Sequence, residues 1–153
     1  MIIIGFDPGV ADTGYGVISV EKGKLSCLGY GCIKTPAKTD LPDRLKTIYA
    51  DTVTLLKKYK PALVSIEKLF FSKNVTTAMA VGHARGVILL AIAQAKLKVV
   101  EFTPNQVKQS VASYGAADKQ QVQRMVKMIL NLQEIPKPDD AADALAIAIC
   151  ASA

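Results

Sequence analysis

Met1-Ile2-Ile3-Ile4-Gly5-Phe6-Asp7-Pro8-Gly9 opens the chain. A short apolar run of this kind suits a buried strand, and a turn signal closes it. Proline holds the residue before it in the extended region, so Asp7 ends the strand and does not start a helix. The run lacks a basic leading segment and stops at a carboxylate, so it does not read as a secretory leader.

Downstream, Tyr15–Glu21 and Leu25–Thr35 are rich in strand formers and joined across Glu21-Lys22-Gly23-Lys24, a hairpin signal. Three antiparallel strands therefore begin the fold. Leu41, Leu45, Ile48, Thr52, Leu55 and Tyr59 recur at helical spacing, with Asp40 as a cap and Pro42 in the first turn. Ala62–Ile66 reads as a second buried strand, ended by Glu67. A long helix, apolar on several faces, is expected from about Thr76 to Lys96. Lys98–Phe102 is a further strand, and Thr103-Pro104 caps a short helix with Val107 and Val111. Val122, Met125, Val126, Ile129 and Leu130 mark another helix, and a last one runs from about Asp139 to Ala151.

Strands alternating with helices predict an α/β fold. The expected sheet is mixed and five-stranded, with an antiparallel three-stranded amino-terminal part and helices on both faces. No repeat, low-complexity tract or linker interrupts residues 1–153, so one domain is expected.

Composition narrows the function. With 50% hydrophobic and 21% charged residues, disorder is excluded. The strongest apolar stretch, Val87–Ala95, falls short of the roughly 20 residues a spanning helix needs. Three cysteines without a C-x-x-C pair suggest free thiols in a reducing, cytoplasmic compartment. His83 is the one histidine, so a Cys/His zinc site is not available. The net charge of +6 favours a polyanionic partner.

The carboxylates carry the chemistry. Asp7 and Glu67 each end a strand, and parallel neighbours would bring them out at the same sheet edge, where ligand sites of such sheets lie. Asp140 and Asp143 are three apart and share one helix face. Four carboxylates at one point would suit hard cations such as Mg²⁺ or Mn²⁺ and phosphodiester cleavage. Each acid also has a plainer reading. Asp7 can make a turn with the Gly9 backbone, Asp139, Asp140 and Asp143 can serve a helix start, and Glu67 can pair with Lys68 or Lys73. A phosphate loop of the G-x-x-x-x-G-K-[ST] type is absent.

At these residues the sequence resembles the RuvC family of Holliday junction resolvases. The matching blocks are Gly5-Phe6-Asp7-Pro8-Gly9 with Gly14-Tyr15-Gly16, Ser65-Ile66-Glu67-Lys68-Leu69-Phe70 and Ala84-Arg85-Gly86. They continue with Gln106-Val107-Lys108-Gln109, Asp118-Lys119-Gln120-Gln121-Val122 and Asp140-Ala141-Ala142-Asp143 through Ala148, in the family's order over nearly the whole chain. The resemblance implies a ribonuclease H-like fold and a homodimer that uses Mg²⁺ to nick two opposed strands of a four-way DNA junction. It also implies cooperation with a branch-migration motor, the RuvA–RuvB complex, and no membrane.

By the same resemblance Asp7, Glu67, Asp140 and Asp143 fall on the family's acidic catalytic positions, and Asp139 receives no role. Phe70 falls on the aromatic presented to DNA, and Lys108 and Lys119 on basic positions near the acids. Lys119 would sit in the first turn of a helix, mildly unfavourable for a cation but useful beside a phosphate. Gly82 and Gly86 permit close approach of a second helix, which suits the dimer. Removing the four acids from the net charge leaves +10, expected around the acidic notch. The alternatives are a ribonuclease H-like RNA-processing nuclease, a junction-binding module without cleavage, and an actin-like ATPase lobe, which the absence of a second lobe disfavours.

Overall fold

The structure is a computed structural model that describes residues 1–68, 74–113 and 115–153. Phe70, Phe71 and Lys73 lie outside the described residues. Five strands form one sheet: β1 (Ile2–Asp7), β2 (Asp12–Glu21), β3 (Lys24–Lys34), β4 (Leu63–Glu67) and β5 (Lys98–Phe102). Their spatial order is β3-β2-β1-β4-β5. β1 pairs antiparallel with β2 and parallel with β4, β2 pairs antiparallel with β3, and β4 pairs parallel with β5. This is the mixed sheet the sequence predicts.

One strand boundary differs from the sequence reading, and the hairpin falls where it is expected. β2 begins at Asp12, three residues before Tyr15, because Asp12 and Thr13 already pair with Lys34 and Ile33, and Gly14 with Asp7. The β2–β3 hairpin turns at Lys22 and Gly23, both at positive φ (51° and 79°), the conformation of a two-residue turn that matches strand twist.

The helices are α1 (Leu41–Tyr59), α2 (Val75–Gln94), α3 (Pro104–Ala112), α4 (Lys119–Ile129) and α5 (Asp139–Cys150). Asp40 holds the capping position of α1 but its side chain makes no cap hydrogen bond. Thr103 caps α3 as expected, reciprocally with Gln106. Asp118 and Gln121 form the same reciprocal cap on α4.

Alternation along β1 divides the core. Ile4 and Phe6 pack under α1 and α2 with Ile48, Leu56, Ile88 and Ile92. Ile3 packs on the other face with Val107, Val126, Leu145 and Ile149 from α3, α4 and α5. Helices therefore cover both faces. α2 is long and apolar enough, by length and composition, to cross a membrane, a longer apolar element than Val87–Ala95 alone. Its Ala84, Ile88, Ala91 and Ile92 are nonetheless buried in the core under α1 and α2.

α5 lies directly on β1 and β2 because those strands carry glycine where it crosses. A Cβ on Gly14 would fall 2.0 Å from the Asp140 carbonyl oxygen, and one on Gly5 would fall 2.3 Å from that of Ala144. The helix answers with alanine at Ala141, Ala144 and Ala148, all fully buried. The buried Ser65 hydroxyl of β4 donates to the Ile147 carbonyl at 2.9 Å and pins the helix in place.

Candidate active site

Close packing of α5 on β1 brings the first turn of the helix against the end of the strand. Asp7, Asp140 and Asp143 each present a carboxylate oxygen within 4.8 Å of the other two. Glu67 stands outside this tight group. It ends the neighbouring strand β4, where Phe6 pairs with Ile66, and lines a cleft of about 290 Å³ with Lys108, Lys119 and Asp143. Three of the four expected carboxylates therefore meet, and the fourth faces the adjoining cleft.

Of the plainer readings, the turn for Asp7 does not fit, a place in the first turn of α5 does fit Asp139 and Asp140, and the Lys73 partner offered for Glu67 lies outside the described residues. The Gly9 amide donates to Thr13 Oγ1 at 3.2 Å, and the Thr13 hydroxyl donates back to the Gly9 carbonyl at 2.6 Å, which fills the turn partner proposed for Asp7. Pro138 occupies the capping position of α5, without a side-chain cap bond. Among the described residues Glu67 makes no ion pair within 4.0 Å.

Burial and mutual repulsion make the cluster hard to ionise. Burial first, then Asp143, Glu67 and Asp140, raise the Asp7 pKa to about 8, with Lys119 opposing. Burial also raises Asp143 and Asp140. Glu67 is raised by burial and by Asp143, against Lys108. The nearby Cys32 thiol is pushed up to about 11, chiefly by burial and then by Asp140, and its sulfur is not among the ligand atoms that converge. The donors are thus all carboxylate oxygens, a set that fits a hard divalent cation.

Lys119 Nζ lies 3.6 Å from Asp143 and 3.5 Å from Asp139. Burial lowers its pKa, but Asp143 and Asp139 more than offset this and hold the ammonium charged. Asp139, left without a role by the sequence, thus shares the lysine, and Gln123 Nε2 donates to Asp139 at 3.1 Å. Lys108 lines the same cleft.

A second residue was passed over by the sequence reading except as part of a matching block. Arg85 of α2 meets Glu101 of β5 at 2.6 Å, and its Nε donates to the Glu67 carbonyl at 3.4 Å. It ties α2 to the ends of β4 and β5. A charged residue in the middle of an apolar helix was the available signal.

Carboxylates that resist ionisation until a cation arrives, beside ammonium groups able to hold a phosphodiester, define a class: the metal-dependent nucleases of ribonuclease H-like fold. Known proteins narrow the class. The family profile "Crossover junction endodeoxyribonuclease RuvC" matches residues 3–151. A protein of that name from Heliobacterium modesticaldum is 57% identical over 150 residues, covering 98% of this chain and 93% of the relative. The Thermus thermophilus RuvC structure superposes with a TM-score of 0.91 at 38% identity, covering 98% of this chain and 92% of that one. The same protein in complex with a Holliday junction substrate gives 0.89 at 36% identity, with the same coverage. The chain belongs to the RuvC family of crossover junction endodeoxyribonucleases. It is accordingly a nuclease that hydrolyses phosphodiester bonds and depends on a divalent metal.

Proposed function

We propose that this nuclease resolves Holliday junctions as a homodimer, with Mg²⁺ held by Asp7, Asp140 and Asp143 and by Glu67 from the adjoining strand. The observation that carries this reading is the three-carboxylate cluster with its raised pKa values, costly to the protein unless a cation compensates it. When bound, Mg²⁺, or Mn²⁺ as a substitute, supplies a water nucleophile at neutral pH and offsets charge on the cleaved phosphate. The carboxylates fix where the scissile phosphate sits. Lys119, held by Asp139 and Asp143, keeps a positive charge beside them for the developing charge of the transition state. Lys108 serves the phosphate from the other wall of the cleft. Phe70 is assigned to the DNA by family membership alone.

A dimer through α2 gives two such sites related by a two-fold axis, as two opposed nicks require. Its support is a seam on α2 where Val75, Met79, Gly86 and Leu90 are all exposed, the three large ones by 50–59%. The proposal extends to cooperation with a branch-migration motor, RuvA–RuvB, and to action in the cytoplasm, with family membership as the support.

The testing experiment incubates a labelled immobile four-way junction, a linear duplex and an RNA–DNA hybrid with the protein, with and without Mg²⁺. Paired nicks on the junction alone, dependent on Mg²⁺, are expected. Equal cleavage of the hybrid would favour the RNA-processing alternative.

A further inference from the structure

A second groove, lined by none of the acids, opens elsewhere on the molecule. It measures about 410 Å³ and lies between the end of α1 and the end of α2, lined by Val53, Leu56, Pro61, Ala91 and Leu97 with Lys57 and Lys60 on its rim. Pro61 and Leu97 precede β4 and β5, so the groove opens at the amino ends of the strands whose carboxyl ends carry the active site. The four residue steps from Leu63 to Glu67 alone separate the two edges by about 13 Å.

The charge at this edge is predominantly positive, with Glu21 the acid on the hairpin among seven lysines. Lys22, Lys24, Lys57, Lys58, Lys60, Lys96 and Lys98 are all exposed here, on the hairpin and on the segments entering β4 and β5. No acidic residue lines the groove. Among the described residues none of these seven lysines pairs with a carboxylate within 4.0 Å. Much of the positive charge expected around the acidic notch is therefore at the opposite pole, a correction to the sequence reading.

From this geometry we infer that the α1–α2 groove docks an acidic amphipathic segment of a partner protein, which inserts apolar side chains between the helices and sets its carboxylates against the lysine rim. Both parts are needed. A nucleic acid would use the lysines but has no use for an apolar slot lined by Leu56, Ala91 and Leu97. A second copy of this chain would set one lysine rim against another, and the proposed dimer seam is on a different face of α2, at Met79, Gly86 and Leu90. The volume lies within the range of about 300–1,000 Å³ typical of ligand clefts. Because the groove is at the far edge of the sheet, its occupant leaves the acidic cleft open.

The full-length protein is titrated into a fluorescein-labelled peptide of mixed aspartate, leucine and phenylalanine, read by anisotropy. Controls are a peptide with serine for the apolar residues, a peptide with lysine for the acids, and unlabelled junction DNA as competitor. Two variants test the site: Lys57→Gln with Lys60→Asn removes rim charge, asparagine being tolerated at the left-handed φ of 47° at Lys60, and Ala95→Phe fills the groove from its exposed wall. We expect each variant to weaken the acidic amphipathic peptide at least about tenfold while melting and junction cleavage stay unchanged. Both control peptides should bind at least about tenfold more weakly than it, and junction DNA should not displace it. Equal binding by both variants, by the serine peptide or by the lysine peptide would overturn the inference. Displacement by junction DNA would make this edge a nucleic-acid surface instead.

Discussion

Helices α5 and α2 are alike in composition and opposite in fate. Both are rich in alanine and isoleucine and apolar on most sides. In α5 every residue from Ala141 to Cys150 is buried except Asp143. In α2 only Ala78, Ala84, Ile88, Ala91 and Ile92 are, and Met79 and Leu90 are half exposed or more. The difference is in what lies beneath. β1 and β2 present glycine to α5, so its backbone approaches the strands to contact, and α3 and α4 pack against it as well. α2 packs with one stripe on the sheet and on α1, and its other stripe meets nothing among the described residues. The first arrangement places the acids; the second leaves a surface that a symmetry mate can cover.

The largest effect should come from breaking the first contact. Gly14→Ala drives a methyl into the Asp140 carbonyl, a backbone atom that cannot step aside without moving the helix. We expect a loss of roughly 2–4 kcal/mol in urea unfolding, as for severe overpacking, together with a collapse of junction nicking. Wild-type stability would mean that α5 does not sit on the strands as described.

The second contact is broken more gently. Leu90→Lys puts a charge in the middle of the exposed seam while touching little of the monomer core. Sedimentation should show dimer dissociation increased at least tenfold, about 1.4 kcal/mol, with unfolding of the monomer unchanged within about 0.5 kcal/mol. A dimer of unaltered affinity would place the interface elsewhere.

The smallest effect is also the sharpest contrast with Gly14. A Cβ on Gly86 would meet nothing within 4 Å. In the Leu90→Lys background, Gly86→Ala should raise stability by about 0.5–1 kcal/mol, the ordinary advantage of alanine over glycine inside a helix. A loss would show that α2 is already enclosed in the single chain.

Much of this was legible before the structure. The strand ending at Asp7-Pro8, the hairpin at Lys22-Gly23 and the helical spacing from Leu41 to Tyr59 are local signals, and each became the expected element. The pairing of Asp7 with Asp140 and Asp143 was legible because strand ends and helix faces have fixed directions. The displacement of Glu67 from the three-acid group was not, since it depends on the lateral offset of β4 and on how the flanking helices shape the cleft. Asp139 looked like a spare first-turn acid; only the approach of α4 to α5 gives it Lys119. Net charge told nothing of where the lysines would gather, because charge is a sum and the poles of a sheet are a matter of topology.

The central claim is that the protein holds its acids at a cost which a divalent cation repays. Asp7 has a folded-state pKa of about 8 against an ordinary 3.8. Between those values the unfolded chain has released the proton and the folded chain has not, so the stability of the metal-free protein falls as pH rises from about 4 to about 8 and then levels. Asp140, Asp143 and Glu67, also raised, add to the fall with the same sign. Asp7→Asn removes the largest part of it. The direct measurement is urea unfolding of the wild type and Asp7→Asn in chelator from pH 4 to pH 9, repeated with Mg²⁺. The account predicts that the variant is the more stable protein without metal, by a margin that grows with pH to a few kcal/mol, at most about 1.4 kcal/mol for each pH unit crossed. It also predicts that Mg²⁺ stabilises the wild type far more than the variant. A variant less stable than the wild type at pH 8 without metal, or one that Mg²⁺ stabilises equally, would contradict it.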